Sequence, residues 1–87
     1  MEYILEISRL LDQKFQKLSK KNRKQLEIIN KKTQQILLNP YHFKPLAGDM
    51  KGSRRVHIDT SFVLTYEIIE NRRIVRLLDF DHHDKIY

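Results

Sequence analysis

Apolar side chains recur every three or four residues along the first half of the chain, which is the spacing of an amphipathic helix. The first run begins at Ile7 and consists of Ile7, Leu10, Leu11, Phe15 and Leu18. Ser19 is a favourable N-cap, so a second helix is predicted over residues 20–38. The apolar stripe of this helix is Leu26, Ile29, Thr33, Ile36 and Leu37. Asn39-Pro40 ends it, because a residue before proline is pushed out of the helical region.

The period changes to two in the second half of the chain, as in β-strands whose side chains alternate between two faces. Three strands are predicted over residues 54–59, 61–70 and 73–80, which are rich in β-branched and aromatic residues. Residues 2–7 alternate weakly and are a candidate for a fourth, short strand. Residues 40–53 contain both prolines and both glycines, so they are predicted to form a loop.

These elements predict an α+β fold, with a helical hairpin packed on one face of an antiparallel sheet of three or four strands. The sheet face expected to pack against the helices carries Phe62, Leu64, Tyr66 and Ile68. The opposite face can remain wet. It is expected to present Arg55, His57, Asp59 and Thr65 to solvent or to a ligand. A chain of 87 residues is expected to form one domain, spanning 1–87.

The net charge of +6 changes this picture because it is unevenly distributed. Residues 1–40 carry nine Lys or Arg against four Asp or Glu, whereas residues 41–87 carry eight against seven. A basic balance favours a polyanionic partner such as nucleic acid, an acidic protein or an anionic surface. The alternative is that the lysines only keep the helices soluble.

The chain contains no cysteine, which excludes disulfides and thiolate metal sites and fits a reducing compartment. No stretch approaches the roughly 18 apolar residues of a membrane span. The first ten residues, MEYILEISRL, carry acids where a secretory signal is basic. A cytoplasmic protein without a membrane partner is therefore expected.

The densest group of titratable side chains lies in the last nine residues, DFDHHDKIY. If this tail crosses the polar face of the sheet, an array of cations, imidazoles and a phenol forms from Arg55, His57, His82, His83 and Tyr87. Lys51 and Arg54 lie just upstream of this face. Such an array suits metal-independent RNA cleavage, which needs a base for the 2′-hydroxyl, an acid for the leaving 5′ oxygen and cations for the phosphorane.

Two other interpretations of these residues remain open. Adjacent histidines near a terminus are often solvated bystanders, and a single strand histidine often lies at a surface or interface. The histidines together with Asp79, Asp81 or Asp84 also have the residue types of a zinc or iron site. Their spacing matches no known metal motif, so neither a metal nor a cofactor is predicted.

Three stretches, NPYHFKPLAGDMKGSRRVHID, FVLTYEI and RIVRLLDFDHHDKIY, resemble in order and spacing the RelE/ParE toxin superfamily. The helix pair before Asn39-Pro40 also fits, so the resemblance covers essentially the whole chain. It implies two N-terminal helices on a twisted antiparallel sheet. For the RelE branch it implies an endoribonuclease that cuts mRNA in the ribosomal A site without a cofactor. It also implies a heteromeric complex with a cognate RelB-like antitoxin.

The resemblance implies a catalytic set from the histidine-using branch of the family, which consists of Arg55, His57, His82, His83 and Tyr87. His57 and His83 would be the acid and the base, His82 is close enough to exchange roles with His83, and Tyr87 would stack on the substrate base. An RNA-binding set is implied as well, and it consists of Lys44, Lys51 and Arg54.

Two departures from the family pattern bear on the mechanism. Val63 stands where many relatives carry an arginine, and the tail DFDHHD lacks the Gly-His-Arg or Lys-Arg pair of many relatives. A lysine/arginine mechanism is therefore disfavoured relative to one that uses histidines.

Two alternative functions remain. A ParE-like inhibitor of DNA gyrase would have the same fold, although His57, His83 and Tyr87 argue against it. A non-catalytic DNA-binding module would use the basic helices as a helix-turn-helix. The absence of glycine in the predicted turn between the helices argues against this module.

Overall fold

The computed structural model describes residues 2–45 and 52–86 of the chain. Its elements are β1 (Ile4–Ile7), α1 (Arg9–Lys21), α2 (Arg23–Leu38), β2 (Ser53–Ile58), β3 (Phe62–Ile69), β4 (Ile74–His82) and the short α3 (His83–Ile86). A 3₁₀ turn, Glu70–Arg72, joins β3 to β4. The predicted site residues Lys51 and Tyr87 lie outside the described residues.

The strands of the described ranges form a sheet in the order β1-β4-β3-β2. β2, β3 and β4 are antiparallel, as the short connections between them require. β1 pairs with β4 in parallel, so the sheet is mixed, and the expectation of an antiparallel sheet is corrected at this edge. Two helices and two strands separate β1 from β4 along the chain, so no tight turn forces β1 to run antiparallel to β4. The α+β class, with two helices on one face of the sheet, is confirmed.

The two helices begin at side-chain caps. The Ser8 hydroxyl accepts a hydrogen bond from the backbone N–H of Leu11 at 3.2 Å, and Asn22 Oδ1 accepts one from Gln25 at 3.1 Å. The prediction that Ser19 caps the second helix is wrong, because α1 continues to Lys21 and the Ser19 hydroxyl donates to the Gln16 carbonyl at 2.6 Å. Asparagine and serine are equally good N-caps, and α2 is capped by Asn22, three residues after Ser19.

The core lies between the helical hairpin and the sheet. Its buried members are Leu11, Ile29, Ile36, Val56, Ile58, Leu64, Tyr66, Val75, Leu77 and Phe80. Leu64 and Tyr66 are fully buried as predicted, and Phe62 and Ile68 pack half-buried against this cluster. From the predicted stripe of the second helix, Ile29 and Ile36 are buried in this cluster and Leu37 packs against it.

The opposite face of β3 is less exposed to solvent than predicted. Val63 and Thr65 are 0% and 1% exposed, so the expectation that Thr65 meets solvent or ligand is wrong. β3 is an inner strand with a neighbour on each side, and α3 packs against it. The Thr65 hydroxyl donates to the Asp79 carbonyl at 3.3 Å, where the register between β3 and β4 shifts. His57 and Asp59 are exposed, as predicted.

None of the helices in the described ranges is long and apolar enough to span a bilayer.

Candidate active site and nucleic-acid interface

The segment that follows α2 returns along the free edge of β2. Pro45 forms an antiparallel bridge with Arg54, and the backbone N–H of Arg55 donates to the Lys44 carbonyl at 3.0 Å. Because β2 is the last strand of the sheet, this pairing satisfies part of an otherwise open edge. It also brings the side chains of residues 42–44 next to those of β2.

A pocket of about 400 Å³ opens between this segment, α2 and β2. Pockets of roughly 300–1,000 Å³ are typical of sites for small organic ligands. The residues that line it are Lys32, His42, Phe43, Lys44, Arg55, Val56 and His57. The structure therefore brings together three of the predicted site residues, Lys44, Arg55 and His57. We call this cavity the β2 pocket.

The β2 pocket combines positive charge with an aromatic surface. Lysine and arginine side chains line it, and no acid is among the described lining residues. Lys32 Nζ lies 5.9 Å from the centroid of the Phe43 ring, and the His42 ring meets Phe43 edge-on at 5.0 Å. Cations that bind phosphate next to rings that stack on bases are the two elements of single-strand nucleic-acid binding.

His57 projects from β2 on the same face as Arg55, because residues two apart in a strand share a face. It lies opposite Val63 on β3, and Val63 lies opposite Asp81 on β4. Since neighbouring strands are about 4.8 Å apart, the Cα atoms of His57 and Asp81 are about 10 Å apart. His57 is exposed and therefore accessible to a substrate.

His82 and His83 form a second group at the junction of β4 and α3. Their rings stack with centroids 4.6 Å apart, and the edge of the His82 ring meets Phe62 at 5.7 Å. The Nδ1 atoms face the carboxylate of Asp84, at 3.4 Å for His82 and 3.1 Å for His83. The backbone N–H of His83 donates to the Ser61 carbonyl at 2.8 Å, which ties this group to the start of β3. We call His82, His83 and Asp84 the tail cluster.

The β2 pocket and the tail cluster are separate groups of side chains. Within residues 2–45 and 52–86, no hydrogen bond or ion pair joins His57 to His82 or His83. The tail does approach the strands, since Ser61 precedes Phe62, whose register partners are Ile58 and His82. A ligand would have to extend across two strands to contact both groups. The roles assigned to these histidines remain predictions.

Arg54 contacts the protein's own backbone. Its Nη1 donates to the Phe43 carbonyl at 2.6 Å and to the Tyr41 carbonyl at 3.4 Å, and its guanidinium stands 5.1 Å from the Tyr41 ring centroid. The buried hydroxyl of Tyr66 donates to the carbonyl of Pro40 at 2.6 Å in the same segment. These bonds fix residues 40–43, which run along one wall of the β2 pocket. The phosphate contact assigned to Arg54 remains a prediction.

Glu70 ties this wall to the rest of the sheet. Its Oε1 accepts hydrogen bonds from the Tyr41 hydroxyl at 2.6 Å and from the Tyr3 hydroxyl at 2.7 Å, and its Oε2 accepts one from Arg73. These donors, Tyr41 first, lower the pKa of Glu70 to about 2. The same bonds to the carboxylate raise the pKa of each tyrosine. The network joins β1, the segment after α2 and the β3–β4 turn.

Sequence reasoning missed three side chains of the β2 pocket: Lys32, His42 and Phe43. His42 and Phe43 stand in the stretch NPYHFKPL, whose prolines predict a loop, but no local pattern predicts that this loop runs along β2. Nothing in the sequence around Lys32 indicates that it lines a pocket, because its position there depends on how α2 packs on the sheet.

Comparison with known proteins adds three findings. The family model for the ParE toxin of the type II toxin–antitoxin system parDE matches residues 5–87. A protein of Methanocaldococcus jannaschii that carries the proposed name toxin RelE4 is 48% identical over 85 residues, which cover 98% of this chain and 90% of that protein.

The third finding concerns solved structures. A mutant of Escherichia coli RelE in the free state superposes with a TM-score of 0.80 at 19% identity, over 98% of this chain and 87% of that one. The RelBE2 toxin–antitoxin complex of Mycobacterium tuberculosis contains a chain that superposes with a TM-score of 0.78 at 19% identity, over 95% of this chain and 100% of that one. At these identities the likeness concerns the fold.

Proposed function

Since the chain belongs to the RelE/ParE superfamily of toxins from type II toxin–antitoxin systems, we propose that it is a ribosome-dependent endoribonuclease. It cleaves mRNA in the ribosomal A site and thereby inhibits translation. Residues 1–87 act as a single RelE-like toxin domain in the cytoplasm. Its partners are the ribosome with its mRNA and a cognate RelB-like antitoxin, in line with the RelBE2 toxin–antitoxin complex, one chain of which shares this fold.

The observation that carries this proposal is the composition of the β2 pocket. Two histidines, an arginine and two lysines line the pocket together with an aromatic ring, at the β2 edge of the sheet. Polyanion binding needs the cations, base stacking needs the ring, and proton transfer near neutral pH needs the imidazole. Cations, an aromatic ring and imidazoles therefore lie within one cavity, and the second imidazole assigned to proton transfer, that of His83, lies in the tail cluster.

The proposed reaction is transfer of the phosphoryl group within the RNA. The 2′-hydroxyl oxygen attacks the adjacent phosphorus and the bond to the 5′ oxygen breaks, which leaves a cyclic phosphate and a free 5′-hydroxyl. One imidazole takes the 2′-hydroxyl proton and another donates a proton to the leaving oxygen. His57 and His83 are assigned to these steps, with His82 as the substitute for His83 and Tyr87 as the stacking residue. The reaction uses no metal.

Charge on the phosphorane must be stabilised without the arginine that many relatives carry at position 63. Val63 is fully buried and brings no charge. Arg55, on the neighbouring strand and two residue pairs away from the His57–Val63 pair, is the substitute cation, because it shares a face with His57. Lys44 and Lys51 are assigned to the flanking phosphates.

A ParE-like inhibitor of DNA gyrase is the second candidate, and the name of the matching family model favours it. The two functions leave different lesions in a cell. A nuclease of the RelE type stops protein synthesis first, whereas a gyrase inhibitor induces the DNA-damage response first.

Expression of matched variants tests the proposal. His57→Ala and His83→Ala should each lower cleavage by about 10²–10⁴, as expected when one member of an acid–base pair is lost. Both should then fail to arrest growth while keeping the wild-type circular dichroism spectrum and antitoxin binding. Asp59→Asn is the control, since Asp59 is exposed on the turn after β2 and has no assigned role. Full toxicity of both histidine variants would overturn the assignment, and a DNA-damage response without translation arrest would overturn the function.

A further inference from the structure

The tail cluster has a geometry that the cleavage reaction does not require. The Nδ1 atoms of His82 and His83 both face one carboxylate, that of Asp84, and they approach its two different oxygens. One ligand atom from each residue lies within 4.8 Å of the others. All three side chains are accessible to solvent, with exposed fractions of 39%, 44% and 74%.

The spacing of these atoms matches the edges of a metal coordination shell. Zinc binds imidazole nitrogen at about 2.0–2.1 Å and carboxylate oxygen at about 2.0–2.2 Å, so two ligands of a tetrahedral site are about 3.4 Å apart. The nitrogen–oxygen distances in the tail cluster are 3.4 Å and 3.1 Å. An ion can contact both imidazoles and the carboxylate once the two stacked rings rotate apart, because each nitrogen lone pair lies in the plane of its ring, and water then completes its shell.

The local structure also orients the ligand atoms. The backbone N–H of Asp84 donates to His82 Nδ1 at 3.2 Å, so the lone pair of this nitrogen points towards Asp84. Phe62 holds the His82 ring from the side, and the His83 ring stacks on it at 28°. An arriving ion must replace the weak bond from the Asp84 N–H to this nitrogen.

We propose that His82, His83 and Asp84 form a binding site for a divalent transition-metal ion of the zinc, nickel or copper class, and that the bound ion inhibits the toxin. Nitrogen and carboxylate donors without thiolate select this class over magnesium or calcium. The inhibition rests on the proposed function, since a His83 side chain that is bound to the ion is no longer available to the RNA. The ion is a regulator and takes no part in cleavage.

Titration calorimetry of the full chain with zinc chloride tests the site without any RNA. The wild type should bind one zinc ion. Asp84→Asn should weaken binding by about tenfold or more, since even indirect support of a metal ligand is worth about 10–100-fold. The double variant His82→Ala/His83→Ala should not bind, and Asp59→Asn should bind like the wild type. Absence of zinc binding by the wild type, or equal affinity of Asp84→Asn and wild type, would overturn the site.

Cleavage of ribosome-bound message with and without zinc tests the regulation. Zinc should inhibit the wild type and chelation should restore its activity, whereas Asp84→Asn should lose a much smaller fraction of its own zinc-free rate at the same zinc concentration. Equal inhibition of both proteins would show that zinc acts elsewhere, and the regulatory proposal would be wrong. If the zinc-free protein cleaves nothing, the proposed function fails, and the calorimetric result still decides the existence of the site.

Discussion

Replacing Tyr66 by phenylalanine removes a hydroxyl from the centre of the protein and keeps the ring. Tyr66 is 0% exposed, and its hydroxyl donates to the Pro40 carbonyl at 2.6 Å. The variant leaves that acceptor without its donor, which should lower the free energy of unfolding by about 1–2 kcal/mol. For a chain of this length the corresponding loss in Tm is roughly 4–16 °C.

The pH dependence of this effect has a definite sign. Burial raises the pKa of Tyr66 to about 12. A tyrosine in the unfolded chain ionises near about 10, so the stability contributed by the neutral hydroxyl is complete below that pH and is lost as the pH rises towards 12. Phenylalanine cannot ionise, so the stability difference between wild type and Tyr66→Phe should shrink above pH 10.

Urea unfolding of both proteins at pH 8, 10 and 11 measures the difference directly. Lysine titration occurs in both proteins and cancels in the comparison. Equal stability at pH 8 would contradict the role of the hydroxyl. A difference that stays constant up to pH 11 would contradict its burial. Since Pro40 begins the segment that carries His42, Phe43 and Lys44, the variant should also lower the affinity of the β2 pocket for RNA.

Two further substitutions test the packing and the Glu70 network. Ile36→Ala removes a fully buried side chain from α2 and should lower the free energy of unfolding by about 2–5 kcal/mol, seen as a lower urea midpoint with an unchanged slope. The folded-state pKa of Glu70 is depressed to about 2, so its stabilising contribution is present above its ordinary value of 4.5 and is lost as the pH falls towards 2. Thermal unfolding measures this between pH 5 and 2: the Tm of Glu70→Gln should fall less with acid than the Tm of the wild type, because the variant has no carboxylate to protonate. An equal fall in the Tm of both proteins would contradict the network.

The periodicities of the sequence predicted the helical hairpin and the three antiparallel strands, because burial on one face leaves a repeat that can be read residue by residue. Two details escaped this reasoning. Ser19 and Asn22 are equally good caps, and only packing decides between them. The direction of β1 depends on where the chain returns after two helices, which no local pattern encodes.

The candidate site was predicted only in part, for a similar physical reason. The period of two placed Arg55 and His57 on one face of β2, and both line the β2 pocket. Lys32, His42 and Phe43 were missed because their approach depends on tertiary packing of α2 and of the loop. Thr65 was misplaced because alternation alone does not show that the second face of an inner strand is covered.

Primer extension on mRNA from translating ribosomes tests the central claim most directly. Purified wild-type protein should produce cuts in ribosome-bound message and none in the same RNA when it is free, and the cuts should persist in a chelator that leaves the ribosomes intact. The His57→Ala variant should produce none. Normal elongation without cuts would contradict the assignment of this toxin as a nuclease, and the gyrase-inhibitor alternative would take its place.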